Sequence, residues 1–128
     1  MTVVALIFAG IAAALHIVFF KLESIDWKKP RTWKTFGLAS QADADTTASL
    51  AYNQGFYNLF LAITAFAGIA LAFWPPVSTA LLVVSLGSML AAAVVLVSSD
   101  RTKLRAAAIQ GTLPLIGLVL LAVRALQA

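Results

Sequence analysis

The sequence predicts an all-α membrane protein, a four-transmembrane-helix bundle with a basic and aromatic interfacial loop between helices 1 and 2. Three observations predict it. Of 128 residues, 62% are hydrophobic and 11% charged, where a soluble domain averages about 45–50% and about 25%. The mean hydropathy is +0.96, and a chain this short cannot bury so much apolar surface in a core of its own. The basic residues fall between long apolar runs, as membrane topology requires.

The length suits a single membrane domain, residues 1–128. The first span is expected over residues 2–20, since about twenty apolar residues cross a bilayer. It lacks a basic leader and stops at Lys21, so it reads as a retained helix rather than a signal peptide. Residues 23–49 form the long polar segment. There Trp27, Lys28, Lys29, Arg31, Trp33, Lys34 and Phe36 surround Pro30, the composition of a headgroup-level belt or a short in-plane helix. Gly37 reads as a turn, and Ser40-x-x-Asp43 as a helix N-terminus.

The second span is expected over 48–74, stopped by Trp74-Pro75-Pro76, the third over 77–97 and the fourth over 106–123. The loops after spans one and three carry the cations, the loop after span two carries none, and Arg124 near the outer end is a weak dissenting charge. This orientation puts both basic loops in the cytoplasm and both termini outside, and suits a cell inner membrane.

Polar residues inside the spans are the candidate site. His16 lies ~9 Å inside span one, Asn53, Gln54, Tyr57 and Asn58 about 5–15 Å inside span two, and Gln110 ~8 Å inside span four, at 1.5 Å per residue. Three helices thus carry polar groups at one depth, with Glu23 and Trp27 at the mouth. His16 and Glu23, seven apart, share a helical face to within about 20°. Pro114 has no N–H, so the carbonyl of Gln110 loses its intrahelical donor. The plainer reading is that amides and hydroxyls merely join helices, at about 0.6 kcal/mol each. An ionisable group such as His16 within a span favours a functional site.

His16, Glu23, Trp27, Phe36-Gly37, the block Ala51-x-Asn53-Gln54-Gly55-x-Tyr57-Asn58-x-Phe60-Leu61-Ala62 and Gln110-Gly111 before Pro114 together resemble a bacterial family of small four-helix membrane proteins, domain-of-unknown-function family 1304. The resemblance spans nearly the whole chain. Its most specific part is Asn53-Gln54-Gly55-x-Tyr57-Asn58. Thr112 and Leu113 set Pro114 farther from Gln110-Gly111 than is usual in the family. The resemblance implies a fold and a membrane, and no activity.

Three functions remain open. The layer would bind or transport a small amphiphile or lipid, its mixed amides suiting a neutral or zwitterionic group; one four-helix copy leaves little room for alternating access, so a transporter would be an oligomer. A membrane enzyme of isomerase or transferase type would use His16 as proton shuttle, with Glu23 and Tyr57 as the other catalytic candidates. An accessory subunit would dock a partner on the polar face. Small residues on two faces of span three allow packing against another copy. The chain has no Cys, one His and five carboxylates, too few for an all-protein metal centre. Membrane lipids are the expected partners and nucleic acid is not. No motif specifies a cofactor.

Overall fold

The computed structural model describes residues 2–128, of which 87% are helical. The order is α1 (Val3–Phe20), a π-helical turn (Lys21–Ile25), α2 (Pro30–Thr35), α3 (Gln41–Ala70), α4 (Pro75–Ser99), a 3-10 turn (Arg101–Lys103) and α5 (Leu104–Gln127). The chain divides into two compact units. One comprises the chain up to Leu15 with Leu61–Ala128; the other is His16–Phe60.

The core of the first unit pairs small residues with large ones. Ala5, Ala9, Ala12 and Ala13 of α1 and Ala62 and Ala65 of α3 are buried with Leu82, Leu86 and Met89 of α4 and Leu121 of α5. Spacings of three and four residues within each helix are those of one helical face. Alanine on one side lets the backbone approach while Leu and Met fill the gap. The α5 stripe is Ala107, Gly111, Pro114, Gly117 and Leu121. A Cβ at Gly111 would lie 2.9 Å from Ala93 Cβ, and one at Gly117 3.0 Å from Leu86 Cδ1, so α5 rides directly on α4. Outward faces are apolar too: Ile7, Val84 and Val95 are each more than half exposed, a surface that suits lipid and not water.

Several boundaries differ from those expected. Helix α3 ends at Ala70, short of Trp74, and α4 starts at Pro75, earlier than residue 77. Proline fits the first helical turn because the N–H it lacks has no partner there. The buried Ser78 hydroxyl then donates to the Gly68 carbonyl at 2.5 Å, binding the end of α3 to the start of α4. Helix α5 passes through Pro114 without interruption.

In the second unit, the first helix does not stop at residue 20. It continues as the π turn, in which the amide of Asp26 donates to the carbonyl of Lys21, five residues back, at 2.9 Å. Helix α2 is a short element in the basic segment, followed by Gly37 at φ 80°, a conformation glycine adopts without steric cost. Ser40 caps α3, its Oγ accepting from the Asp43 amide at 3.1 Å. The helix therefore starts at Gln41, where the Ser40-x-x-Asp43 pattern places it and ahead of the span expected from residue 48.

Among the described residues, three helical stretches are long and apolar enough to cross a membrane: Val3–Ile25, Pro75–Ser99 and Arg101–Gln127. The sequence predicts four. Helix α3 has 30 residues and so ample length, but polar residues from Gln41 to Thr47 and the amides at 53, 54 and 58 dilute its apolar character.

Candidate functional site

The polar centre of the second unit is built where the π turn meets α3. Their closest approach is at Gly55. A Cβ added there would run into Ser24 Oγ and lie 2.9 Å from the Ser24 backbone nitrogen. Only hydrogen fits between the two backbones. Ser24 uses the proximity to donate its hydroxyl to the Tyr52 carbonyl at 2.8 Å.

This crossing sets Glu23 against Asn58. Asn58 Nδ2 donates to Glu23 Oε2 at 3.3 Å, and the two side chains are 3% and 9% exposed. Asn58 is one turn beyond Gly55, so the face that closes on Ser24 also carries the amide. Burying a carboxylate is costly unless it is hydrogen-bonded, and here the amide meets one of its two oxygens. His16 is fully buried on the same helix, with Phe19 edge-on at 5.3 Å between ring centroids. Phe20 and Phe56 meet edge-on at 5.1 Å and add an aromatic contact between the same helices.

Within the second unit, the other residues expected in the layer do not share one face. Ala51, Gly55 and Asn58 form the buried face of the block, whereas Asn53, Gln54 and Tyr57 are exposed. Trp27 lies further down α3: its Nε1 donates to the Ala44 carbonyl and Thr47 Oγ1, both at 3.2 Å. Thr47 is eleven residues before Asn58, ~16 Å along the helix. Gln110 is half-buried on α5, in the other unit.

Ser24 and Asp26 escaped the sequence reading. Ser24 carries no signal until its opposition to Gly55 is known. Asp26 sits between Lys21 and Lys29 in the sequence, and pairs with both: Lys21 Nζ with Oδ2, and Lys29 Nζ with Oδ1 at 2.9 Å. The hydrogen bonds from Lys21 and then Lys29 hold the Asp26 carboxyl below its usual range. Among the described residues, no three His, Asp or Glu converge on a point where a metal ion would be held.

A carboxylate, an amide and an imidazole are thus buried in the second unit. The class is an all-helical protein with helices fit to cross a membrane. The family described as protein of unknown function (DUF1304) matches residues 10–122, and the chain belongs to it. No curated protein and no solved structure matches the chain.

Proposed function

We propose that the chain is a multi-pass protein of the cell inner membrane that binds a small amphiphile through the buried Glu23–Asn58 pair. In this reading α1, α3, α4 and α5 each cross the bilayer, the basic loops face the cytoplasm and both termini lie outside. The pair itself carries the reading. A carboxylate offers about four acceptor positions, and the amide donating at 3.3 Å occupies part of that capacity. The Asn58 carbonyl adds another acceptor. A site rich in acceptors selects a polar group rich in donors, such as an ammonium or a hydroxyl. Its apolar surroundings suit the ligand's hydrocarbon part. The π turn that bears Glu23 supports the same reading, because such turns recur at functional sites.

The test is to extract the wild type, Glu23→Gln and Asn58→Ala gently, and to identify co-purifying small molecules by mass spectrometry. A single amine- or hydroxyl-bearing amphiphile is expected in the wild type, depleted about tenfold or more in both variants, which corresponds to about 1.4 kcal/mol of lost binding. Equal profiles in all three proteins, with helix content unchanged, would reduce the pair to a link between helices.

A further inference from the structure

The turn joining α4 to α5 and the first residues of α5 carry three cations, Arg101, Lys103 and Arg105, and the Glu23–Asn58 pair makes no use of them. Beside this turn, α4 and α5 leave a groove of about 210 Å³. Its floor is where the helices touch, at Ala93 and Gly111. Its walls include Leu90 and Val94 from α4 and Ala108, Thr112 and Leu115 from α5. Thr112 is the polar member of the lining, and its hydroxyl donates to the Ala108 carbonyl at 2.6 Å. The walls therefore offer an occupant apolar contact and little else.

Length and charge specify the occupant. From Leu104 to Leu115 the groove runs ~16 Å at 1.5 Å per residue, close to the ~15 Å of one leaflet of hydrocarbon. Leu104 lines its end at the turn; Lys103, half-buried, and Arg105, exposed, adjoin it in sequence, and the exposed Arg101 opens the turn. The one acid at the turn, Asp100, is held by the Thr102 amide at 2.9 Å and the Thr102 hydroxyl at 2.6 Å and attracts Lys103, which leaves Arg101 and Arg105 for a ligand. The groove is thus apolar along its length and cationic at one end. A second copy fits poorly: a two-fold axis along the membrane normal would set the same cations against one another.

We propose that the α4–α5 groove binds an anionic phospholipid, with one acyl chain along the groove and the phosphate held by Arg101 and Arg105. Basic clusters at the ends of membrane helices are suited to such headgroups. The site is independent of the Glu23–Asn58 pair.

The test uses the full chain reconstituted in phosphatidylcholine vesicles with trace nitroxide-labelled phosphatidylglycerol or phosphatidylcholine, read by electron spin resonance. For the wild type, phosphatidylglycerol should be favoured by about tenfold, and Arg101→Gln/Arg105→Gln should bring the ratio near one. Ala108→Phe, at an exposed wall position, should lower the ratio with all cations retained, and Thr112→Leu should do the same with less bulk. A wild-type ratio near one overturns the proposal. So does an unchanged ratio in both wall variants, which would leave surface charge alone as the cause. The chain has no Cys, so ready oxidation of Val94→Cys to a disulfide dimer in these vesicles would place a second copy on the groove and overturn it as well.

Discussion

Asn58 donates its side-chain amide to the Glu23 carboxylate at 3.3 Å across 35 residues of sequence, and both side chains are buried. Net hydrogen-bond contributions in membranes average about 0.6 kcal/mol, with a maximum near 1.7. Bonds to charged groups in proteins reach about 1.5–3 kcal/mol, and orphaning a buried partner adds a penalty. Asn58→Ala is therefore expected to destabilise the fold by about 1–2 kcal/mol. Removing both partners, as in Glu23→Met/Asn58→Leu, should cost less than the sum of the single changes. A double-mutant cycle by thermal unfolding in detergent measures the coupling. Strict additivity would mean that the contact adds nothing to stability.

The glycines rank by what surrounds them. Gly55→Ala would drive a Cβ into Ser24, including its backbone nitrogen at 2.9 Å, and a helix backbone yields only by moving as a whole. Overpacking of this kind costs about 1–3 kcal/mol. Adding Ser24→Ala should recover part of the loss, because the hydroxyl clash goes and the backbone clash stays. At Gly68 the neighbours are Leu82 Cγ at 2.9 Å, Leu82 Cδ2 at 3.0 Å and Leu81 Cβ at 3.3 Å, side-chain carbons rather than backbone, so the cost there should be smaller than at Gly55. At Gly87 nothing lies within 4 Å, and alanine should gain up to about 1 kcal/mol from helix propensity. Melting temperatures of the three single variants give the order. Equal losses at Gly55 and Gly87 would contradict it.

Much of this fold was legible in the sequence, and what was hidden has a physical reason. Long apolar runs marked the helices, and Gly37 and the Ser40 cap announced themselves by residue type. The π turn left no such mark, since no residue at 21–25 demands a bond to the carbonyl five residues back. The second gap is in the amide block. Asn53, Gln54, Tyr57 and Asn58 share one arc of about 140°, and the sequence alone does not say which edge of the arc turns inward. The approach of Ser24 to Gly55 decides it, burying Asn58 and leaving the other three exposed. Trp27 was legible as an interfacial aromatic, but its landing on Ala44 and Thr47 depends on α3 starting at Gln41.

Gln41 ties the basic segment to α3. Its Oε1 accepts from Trp33 Nε1 at 3.1 Å, while its Nε2 donates to the Lys28 carbonyl at 3.0 Å and to Asp45 Oδ1 at 3.2 Å. One amide thus links three points of the chain at the first turn of the helix. Gln41→Ala should loosen the whole segment from Lys28 to Phe36, because α2 has only six residues and a helix that short is not stable alone. Hydrogen exchange should speed up across those residues by about tenfold, equivalent to about 1.4 kcal/mol of lost local stability. Protection in α4 and α5 should be unchanged. If exchange in 28–36 stays at the wild-type rate, the Trp27 contacts and the local backbone bonds suffice to hold the segment.

The Lys21–Asp26–Lys29 triad makes a pH prediction whose sign is fixed. Hydrogen bonds from Lys21 and Lys29 lower the Asp26 carboxyl below its ordinary 3.8. A folded-state value below the unfolded one means that the charged form is favoured by folding. The contribution is then fully present above the ordinary value, and it is lost as pH falls through the lowered one. Wild type should therefore lose this part of its stability only below about pH 4. Asp26→Asn lacks the ion pairs at every pH, so it should be less stable at neutral pH and converge on the wild type in acid. The effect is modest in size, because the Lys21 and Lys29 side chains are 62% and 68% exposed and solvent screens such pairs. About 1 M salt, with a Debye length near 3 Å, should erase most of the difference at neutral pH. Thermal unfolding of both proteins from pH 3 to pH 7, at low and high salt, tests all three statements. Parallel curves across the whole range would mean that the triad only orders the loop and does not stabilise it.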